Sequence, residues 1–168
     1  MAYTQNVRDF GLDVFALPLS GDRQPLRITK TPFSEQDPRI SPDSRWIAYA
    51  SNESGSRNEI YIQSFPEPAV KKQMSTAGGV GPRWRRDGKE LYYLAPDFTL
   101  MAVSIASSGS ALQVGAPAPL FQIRNSESGY PRNYDVSADG RFLVNVSTDE
   151  LSATPITVIL NWAANRQR

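Results

Sequence analysis

The sequence predicts an all-β fold, a partial β-propeller of about three and a half four-stranded antiparallel blades. Two observations support this prediction. A hairpin-forming unit occurs three times, at residues 38–49, 82–93 and 134–144, and each copy is followed by an apolar, β-branched segment. The units follow one another at intervals of 44 and 52 residues, close to the roughly 40–50 residues that one propeller blade occupies.

Each unit contains a turn between two short strands. The central residues of the turns are Pro-Asp-Ser, Arg-Asp-Gly and Ala-Asp-Gly, with the aspartates at Asp43, Asp87 and Asp139. Asp and Gly tolerate the backbone angles of tight turns, and an Asp side chain can accept a hydrogen bond from the backbone two residues on. We therefore expect these three aspartates to have a structural role in turns, and to be neither catalytic nor metal ligands.

The remaining strands of each blade follow from apolar segments separated by Pro, Gly, Ser and Asn. Residues 59–65, 100–105 and 156–162 are predicted third strands, and residues 72–75 and 111–121 are weaker fourth strands. Bulky aromatic residues on these strands are expected to fill the space between blades. They are Trp46, Tyr49, Tyr61, Trp84, Tyr92, Tyr93 and Phe142.

The predicted array begins and ends within a blade. Residues 13–22 and 24–29 have the pattern of third and fourth strands of a blade whose first two strands are missing. The expected organisation is an N-terminal extension at residues 1–12, a partial propeller at 13–162 and a polar tail at 163–168.

Composition restricts the possible partners. The 168 residues are enough for one domain, and 18 basic against 17 acidic side chains give no surface for a polyanion, so nucleic acid is not an expected partner. No apolar run approaches the roughly 20 residues of a membrane span, and the N-terminus has no signal-peptide pattern. A soluble chain is expected, and the composition does not decide between cytoplasm and periplasm.

The sequence has no histidine and no cysteine. Their absence excludes the Ser-His-Asp triad, thiolate nucleophiles, thiolate metal sites and disulfides. Carboxylate chemistry is the mechanism left, with Asp37, Asp97, Asp135 or Glu90 as candidates, but no pair among them has a spacing that indicates a shared pocket. The prediction is a protein that is not an enzyme and has no cofactor.

Two polar segments have some of the features of ligand-binding loops. Residues 51–59 contain many oxygen atoms but lack the alternating acidic ligands of a calcium loop. Residues 76–79 end in Gly-Gly without the spacing of a nucleotide-binding loop. Both are expected to be connectors, and no metal site is predicted.

The segment Arg83, Trp84, Arg85 and Arg86 is the candidate binding site. A basic cluster with an embedded aromatic residue can bind phosphate, carboxylate or an acidic peptide. The alternative is a solvated strand end, since exposed charged runs commonly serve only solubility.

Residues 41–49, Ser-Pro-Asp-Ser-Arg-Trp-Ile-Ala-Tyr, resemble the TolB-like, WD40-like (PD40) propeller repeat. Residues 13–162 as a whole resemble the C-terminal propeller half of bacterial proteins in which such blades follow a Ser/Thr-kinase domain. Ser44 stands in place of the usual turn glycine, and Arg85-Arg86 stands in place of Ser-Pro. Neither the glycine-rich loop nor the His-Arg-Asp loop of a kinase is present, so the resemblance does not imply kinase activity here.

The resemblance implies a non-catalytic module that binds or scaffolds a protein or peptide, as the sensor or interaction part of a larger bacterial protein. Two alternatives remain open: the substrate-gating propeller of a prolyl oligopeptidase-like peptidase without its catalytic domain, and a carboxylate-based glycan-processing propeller. Propellers close with four to eight blades. We therefore expect either a homodimer that completes one ring or a fragment of a longer parent chain.

Overall fold

The computed structural model describes residues 1–8, 11–108, 111–123 and 134–145. The secondary-structure elements in this part of the chain are all β-strands, and no helix long and apolar enough to cross a membrane occurs there. The strands are β1 (Ala2–Val7), β2 (Gly11–Ala16), β3 (Leu26–Arg27), β4 (Glu35–Ile40), β5 (Trp46–Ser51), β6 (Glu59–Ser64), β7 (Lys71–Gln73), β8 (Val80–Trp84), β9 (Glu90–Leu94), β10 (Thr99–Ser108), β11 (Ala111–Val114), β12 (Ala118–Gln122), β13 (Tyr134–Val136) and β14 (Phe142–Val144).

The strands form four successive antiparallel sheets. Strands β1 to β3 form the first, β4 to β7 the second, β8 to β12 the third, and β13 and β14 the fourth. In the third sheet β11 and β12 pair with different halves of β10, so they are one outer strand interrupted at residues 115–117. The all-β, partial-propeller prediction is confirmed.

The central strands of the second and third sheets have both faces buried, because each of these sheets packs between two others. In β5, Trp46 and Ala48 contact the third sheet, whereas Ile47 and Tyr49 contact the first. Side chains of a strand alternate between its faces, so one strand contributes to two separate cores. This explains why β5 is apolar along nearly its whole length.

The same division recurs one blade later. In β9, Leu91 and Tyr93 pack against the second sheet, while Tyr92 and Leu94 pack against Tyr134 and Phe142 of the fourth sheet. The rings of Tyr92 and Phe142 meet edge to face, with centroids 4.9 Å apart. Of the seven aromatic residues predicted to fill the core, six are buried and Trp84 is half-buried.

The predicted N-terminal extension at residues 1–12 is wrong for most of its length. Residues Ala2–Val7 form β1, which pairs along its whole length with β2, from Ala2 opposite Ala16 to Val7 opposite Gly11. Tyr3 stacks on Phe15 at 5.7 Å, which gives β1 an apolar contact. The first sheet therefore contains the equivalents of a second, third and fourth blade strand, and the expectation that its second strand is missing is corrected.

The predicted third strands at 59–65 and 100–105 are confirmed as β6 and β10, and the fourth strands at 72–75 and 111–121 as β7 and the pair β11 and β12. The predicted strand at 156–162 and the polar tail at 163–168 lie outside the described residues.

In each of the first two sheets, a buried carboxylate and a buried hydroxyl connect the third and fourth blade strands. Thr29 Oγ1 accepts a hydrogen bond from Val14 N at 2.8 Å and donates one to Asp13 Oδ1 at 3.3 Å. In the second sheet, Ser75 Oγ accepts from Ile60 N at 2.8 Å and donates to Glu59. The acid lies on the third blade strand and the hydroxyl follows the fourth, so the pair fixes the register between these two strands.

A further buried carboxylate, that of Glu35, lies near the Asp13–Thr29 pair of the first sheet. The Glu35 side chain is fully buried, and its Oε1 accepts hydrogen bonds from Thr31 Oγ1 at 2.6 Å and Ser51 Oγ at 3.1 Å. Its Oε2 has no hydrogen-bond partner among the described residues. Burial raises the pKa of Glu35 above 4.5, and the nearby carboxylate of Asp13 raises it further, against the lowering effect of the hydroxyl groups.

This raised pKa makes stability pH-dependent. In the window between 4.5 and the raised pKa the folded state binds more protons than the unfolded state, so the free energy of unfolding falls as pH rises through that window. Glu35→Gln keeps an acceptor for Thr31 and Ser51 and removes this dependence. We expect the variant to gain stability relative to the parent as pH rises, by about 1.4 kcal/mol for each unit by which the pKa is raised.

Urea denaturation of both proteins from pH 4 to pH 8 measures this difference. Glu67→Gln, at an exposed position in the β6–β7 turn, is the control and should change the free energy of unfolding by less than about 0.5 kcal/mol. Parallel curves for Glu35→Gln and the parent would contradict the prediction, because they would show that the pKa of Glu35 is the same in the folded and unfolded states.

Candidate functional site

The first strands of the second and third sheets share a distortion at a Pro-Arg pair. In β4 the pairing register shifts between Gln36 and Arg39, and β8 shifts at the equivalent place. The residue before the proline has a positive φ in both strands, +55° at Asp37 and +61° at Gly81. Since proline has no N–H for the ladder, a bulge is the usual way to accommodate it. In both strands the following arginine donates from Nη1 to the proline carbonyl at 2.9 Å.

Side chains join the first strands of neighbouring blades. Trp84 Nε1 on β8 donates a hydrogen bond to the carbonyl of Arg39 on β4 at 2.9 Å. The Tyr134 hydroxyl on β13 donates to the carbonyl of Gly81 on β8 at 2.7 Å. Strands β4, β8 and β13 therefore lie side by side in order, as the inner strands of a propeller do around its axis.

These strands bring together a group of charged and polar residues, here called the axial cluster. It consists of Asp37 and Arg39 on β4, Arg83 on β8, and Tyr134 and Asp135 on β13. Arg83 Nε lies 3.9 Å from Asp135 Oδ1, and the guanidinium carbon of Arg83 lies 5.4 Å from the centre of the Tyr134 ring. The Arg83 side chain is 13% exposed and that of Asp135 is 77% exposed, so the pair extends from a buried base towards solvent.

The charges of the axial cluster influence one another. Burial and the positive charge of Arg83 lower the pKa of Arg39, while the carboxylates of Asp37 and Asp135 oppose this effect. An arginine remains protonated under such a shift. Burial is the main cause of the raised pKa of Tyr134, so its hydroxyl stays a hydrogen-bond donor. The cluster offers hydrogen-bond donors and cations suited to binding an anionic group.

The predicted binding segment does not form one surface. Arg83 belongs to the axial cluster, whereas Trp84 is half-buried against the core between the second and third sheets. Arg85 Nη1 lies 3.3 Å from Glu90 Oε2, and Arg86 is exposed in the β8–β9 turn. Arg83 and Trp84 are consecutive residues of β8, so their side chains lie on opposite faces of the strand, whereas Arg85 and Arg86 follow it.

The three recurring aspartates lie in the hairpin turns. Asp43 Oδ1 accepts a hydrogen bond from Arg45 N at 3.2 Å, and Asp87 Oδ1 accepts one from Lys89 N at 3.0 Å. Asp139 accepts one from the hydroxyl of the serine two residues before it. Their carboxylates are thus engaged within the turns.

The candidate carboxylates for catalysis fall in three places. Asp37 and Asp135 are in the axial cluster, whereas Asp97 Oδ1 accepts a hydrogen bond from Thr99 N at 3.0 Å in the β9–β10 turn. Glu90 accepts one from the Tyr92 hydroxyl at 2.7 Å. Within the described ranges, no group of three or more acidic side chains is placed to hold a metal ion.

Sequence reasoning missed Arg39, Tyr134 and their relation to Arg83. The available signal was the repetition itself, because Pro38-Arg39 and Pro82-Arg83 occupy the same position in two units. The third unit has Tyr134-Asp135 at that position. Adjacent blades place equivalent residues side by side, so aligned positions of the repeat predict neighbours on the inner strands.

Comparison with known proteins gives structural similarity only. No family model and no curated protein matches the chain. A putative TolB from Agrobacterium tumefaciens matches over 70% of this chain and 46% of its own, with 17% identity and a TM-score of 0.51. TolB from Acinetobacter baumannii matches over 94% of this chain and 49% of its own, with 17% identity and a TM-score of 0.50.

The fold is a TolB-like β-propeller. The chain spans slightly less than half the length of either TolB protein, in agreement with the four sheets described above, of which two have a full set of blade strands. In this TolB-like arc the axial cluster lies on the inner strands, where a closed ring would surround it.

The Arg83–Asp135 pair should be weak, because Asp135 is largely exposed and solvent screens it. A double-mutant cycle with Arg83→Gln and Asp135→Asn is expected to give a coupling energy below about 1 kcal/mol in urea denaturation. A coupling of several kcal/mol would instead show that the pair is a structural lock and that Arg83 is not available to a ligand.

Proposed function

We propose that the chain is a non-catalytic binding module that recognises an acidic segment of a protein or peptide through the axial cluster. The observation that supports this is the convergence of Arg39 and Arg83, from two successive blades, at the inner strands. Guanidinium groups form paired hydrogen bonds with carboxylates. No carboxylate lies within ion-pair distance of Arg39 in the described part of the chain, and the one hydrogen bond of its side chain to a described residue goes to the backbone carbonyl of Pro38.

The chemistry of the site favours binding over catalysis. The sequence contains neither histidine nor cysteine, and the Tyr134 hydroxyl is held by Gly81 O. Asp135 Oδ1 lies 3.9 Å from Arg83 Nε. Cations and hydrogen-bond donors of this kind suit recognition, whereas general acid-base catalysis most often uses a histidine.

A random-peptide display selection against the whole chain tests this proposal. Acidic peptides should be enriched, and a synthetic peptide from the selection should bind at least tenfold more weakly to Arg39→Gln. Asp135→Lys changes an exposed residue and should strengthen binding, because it adds a cation. Arg86→Gln is the matched control and should bind as the parent does.

Two results would overturn the proposal. If Arg86→Gln abolishes binding and Arg39→Gln does not, recognition belongs to the exposed turn. If no acidic peptide is enriched, or Asp135→Lys leaves binding unchanged, the axial cluster is not the binding site.

We also propose that two copies of the chain complete one ring. The first sheet turns Tyr3 and Phe15 away from the second sheet, and both side chains are only partly buried. A blade face of this kind is covered by a neighbour in a closed propeller. Two chains also have about the combined length of one TolB protein, since each spans 46% to 49% of it.

Light scattering coupled to size exclusion tests the dimer. The expected mass is about twice 18.6 kDa, and Phe15→Glu should give the monomer, while Leu19→Glu, in the exposed β2–β3 turn, should not. A monomer of the parent chain at all concentrations contradicts the dimer. It would favour completion by other blades of a longer bacterial chain, such as one of the kinase-associated type that the sequence resembles.

A further inference from the structure

The two loops that the sequence predicted as connectors form one wall of a pocket, and the β9–β10 turn forms the facing wall. The strands of each blade alternate in direction, so the β5–β6 loop, the β7–β8 connector and the β9–β10 turn all open on the same face, here called the connector face. Between them is a pocket of about 370 Å³. Its lining includes Asn52, Arg57, Gly78, Val80, Leu94 and Phe98.

Glycines at residues 78 and 79 bring these walls close together. Gly78 has φ +99°, and a Cβ there would lie 2.6 Å from the Pro96 side chain. A Cβ on Gly79 would lie 2.7 Å from Ile60 and 2.9 Å from Tyr93. No other residue type fits these positions without displacing its neighbours, so the shape of the pocket depends on the Gly-Gly pair.

The pocket has one charged side chain in its lining, Arg57. Its guanidinium contacts the carbonyl of Ala77 at 3.4 Å. The Glu59 carboxylate lies behind the wall, buried, where it accepts hydrogen bonds from Gly78 N at 2.9 Å and from Ser75 Oγ. Asp97, next to the rim, accepts one from Thr99 N. Arg57 is exposed and is free of any ion pair with a described carboxylate, so it can receive an anionic group.

An apolar surface lies beside this cation. Val80 and Phe98 are half-buried side chains that line the pocket, and both pack against the core shared with the fourth sheet, to which the fully buried Leu94 belongs. The volume is near the lower end of the roughly 300–1,000 Å³ of small-ligand pockets. A ligand that fits must therefore present a carboxylate and an apolar group close together in a small volume.

We propose that this pocket binds the free C-terminus of a polypeptide whose last residue is apolar. The terminal carboxylate pairs with Arg57, and the last side chain packs on Val80 and Phe98. A chain end supplies both groups from one residue, which an internal aspartate cannot do, and capture of a terminal carboxylate is an established mode of peptide recognition. The site uses none of the residues of the axial cluster, so it stands or falls independently of the function proposed above.

Nuclear magnetic resonance of the whole ¹⁵N-labelled chain tests the site with defined probes. Acetyl-Gly-Gly-Leu with a free carboxylate should cause saturable shifts at the Gly78 and Gly79 amides and at Arg57 Nε. The same peptide as its C-terminal amide should not. Arg57→Gln should weaken binding at least tenfold. Arg23→Gln, at an exposed turn on the opposite face, is the matched control and should bind as the parent does, as should Arg39→Gln.

Three outcomes contradict the proposal. Equal shifts from the acid and the amide would show that the carboxylate is not recognised. Equal affinity for acetyl-Gly-Asp-Gly-amide, or for sodium acetate, would show a general anion site. Absence of shifts at millimolar peptide, with the spectrum otherwise that of a folded protein, would show that the pocket does not bind chain ends.

Discussion

The structure depends on the requirement that each β-sheet be covered on both faces. A single four-stranded sheet with an apolar central strand such as β5 would expose Ile47 and Tyr49 on one face and Trp46 and Ala48 on the other. Stacking sheets side by side removes both exposures at once, and it explains why one blade cannot be stable alone. The cores are therefore between blades and not within them, and removal of one blade leaves its neighbours uncovered.

The same stacking determines what meets at the axis. Because successive blades repeat one geometry, the bulge that Pro38 imposes on β4 recurs at Pro82 on β8, and each bulge directs the following arginine in the same way. Two like charges would then meet, and the third unit has Asp135 at that position, beside Arg83. The repeated bulge thus positions Arg39 and Arg83, and Asp135, where the third unit departs from the repeat, supplies a carboxylate beside Arg83.

The sequence was informative where local chemistry decides structure. The hairpin turns follow from Asp and Gly, and even Ser44, which stands where the other two turns have glycine, adopts the same positive φ, +56° against +71° at Gly88 and +81° at Gly140. Strand β1 was not predicted, because no turn motif precedes it and half of its residues are polar. The split of the Arg83–Arg86 segment into four environments depends on which face each side chain meets, and a charge count cannot supply that.

The pocket on the connector face shows the limit of local reasoning more clearly. Residues 51–59 lack the ligand pattern of a cation loop and residues 76–79 lack the spacing of a nucleotide loop, so each segment is uninformative alone. They become informative only when blade stacking sets them opposite Pro96 and Phe98, which lie on the next sheet. A Gly-Gly pair that satisfies no nucleotide-binding pattern is required there for close approach between blades. In a repeat fold, glycines in a connector are therefore better interpreted through the neighbouring blade than through their own segment.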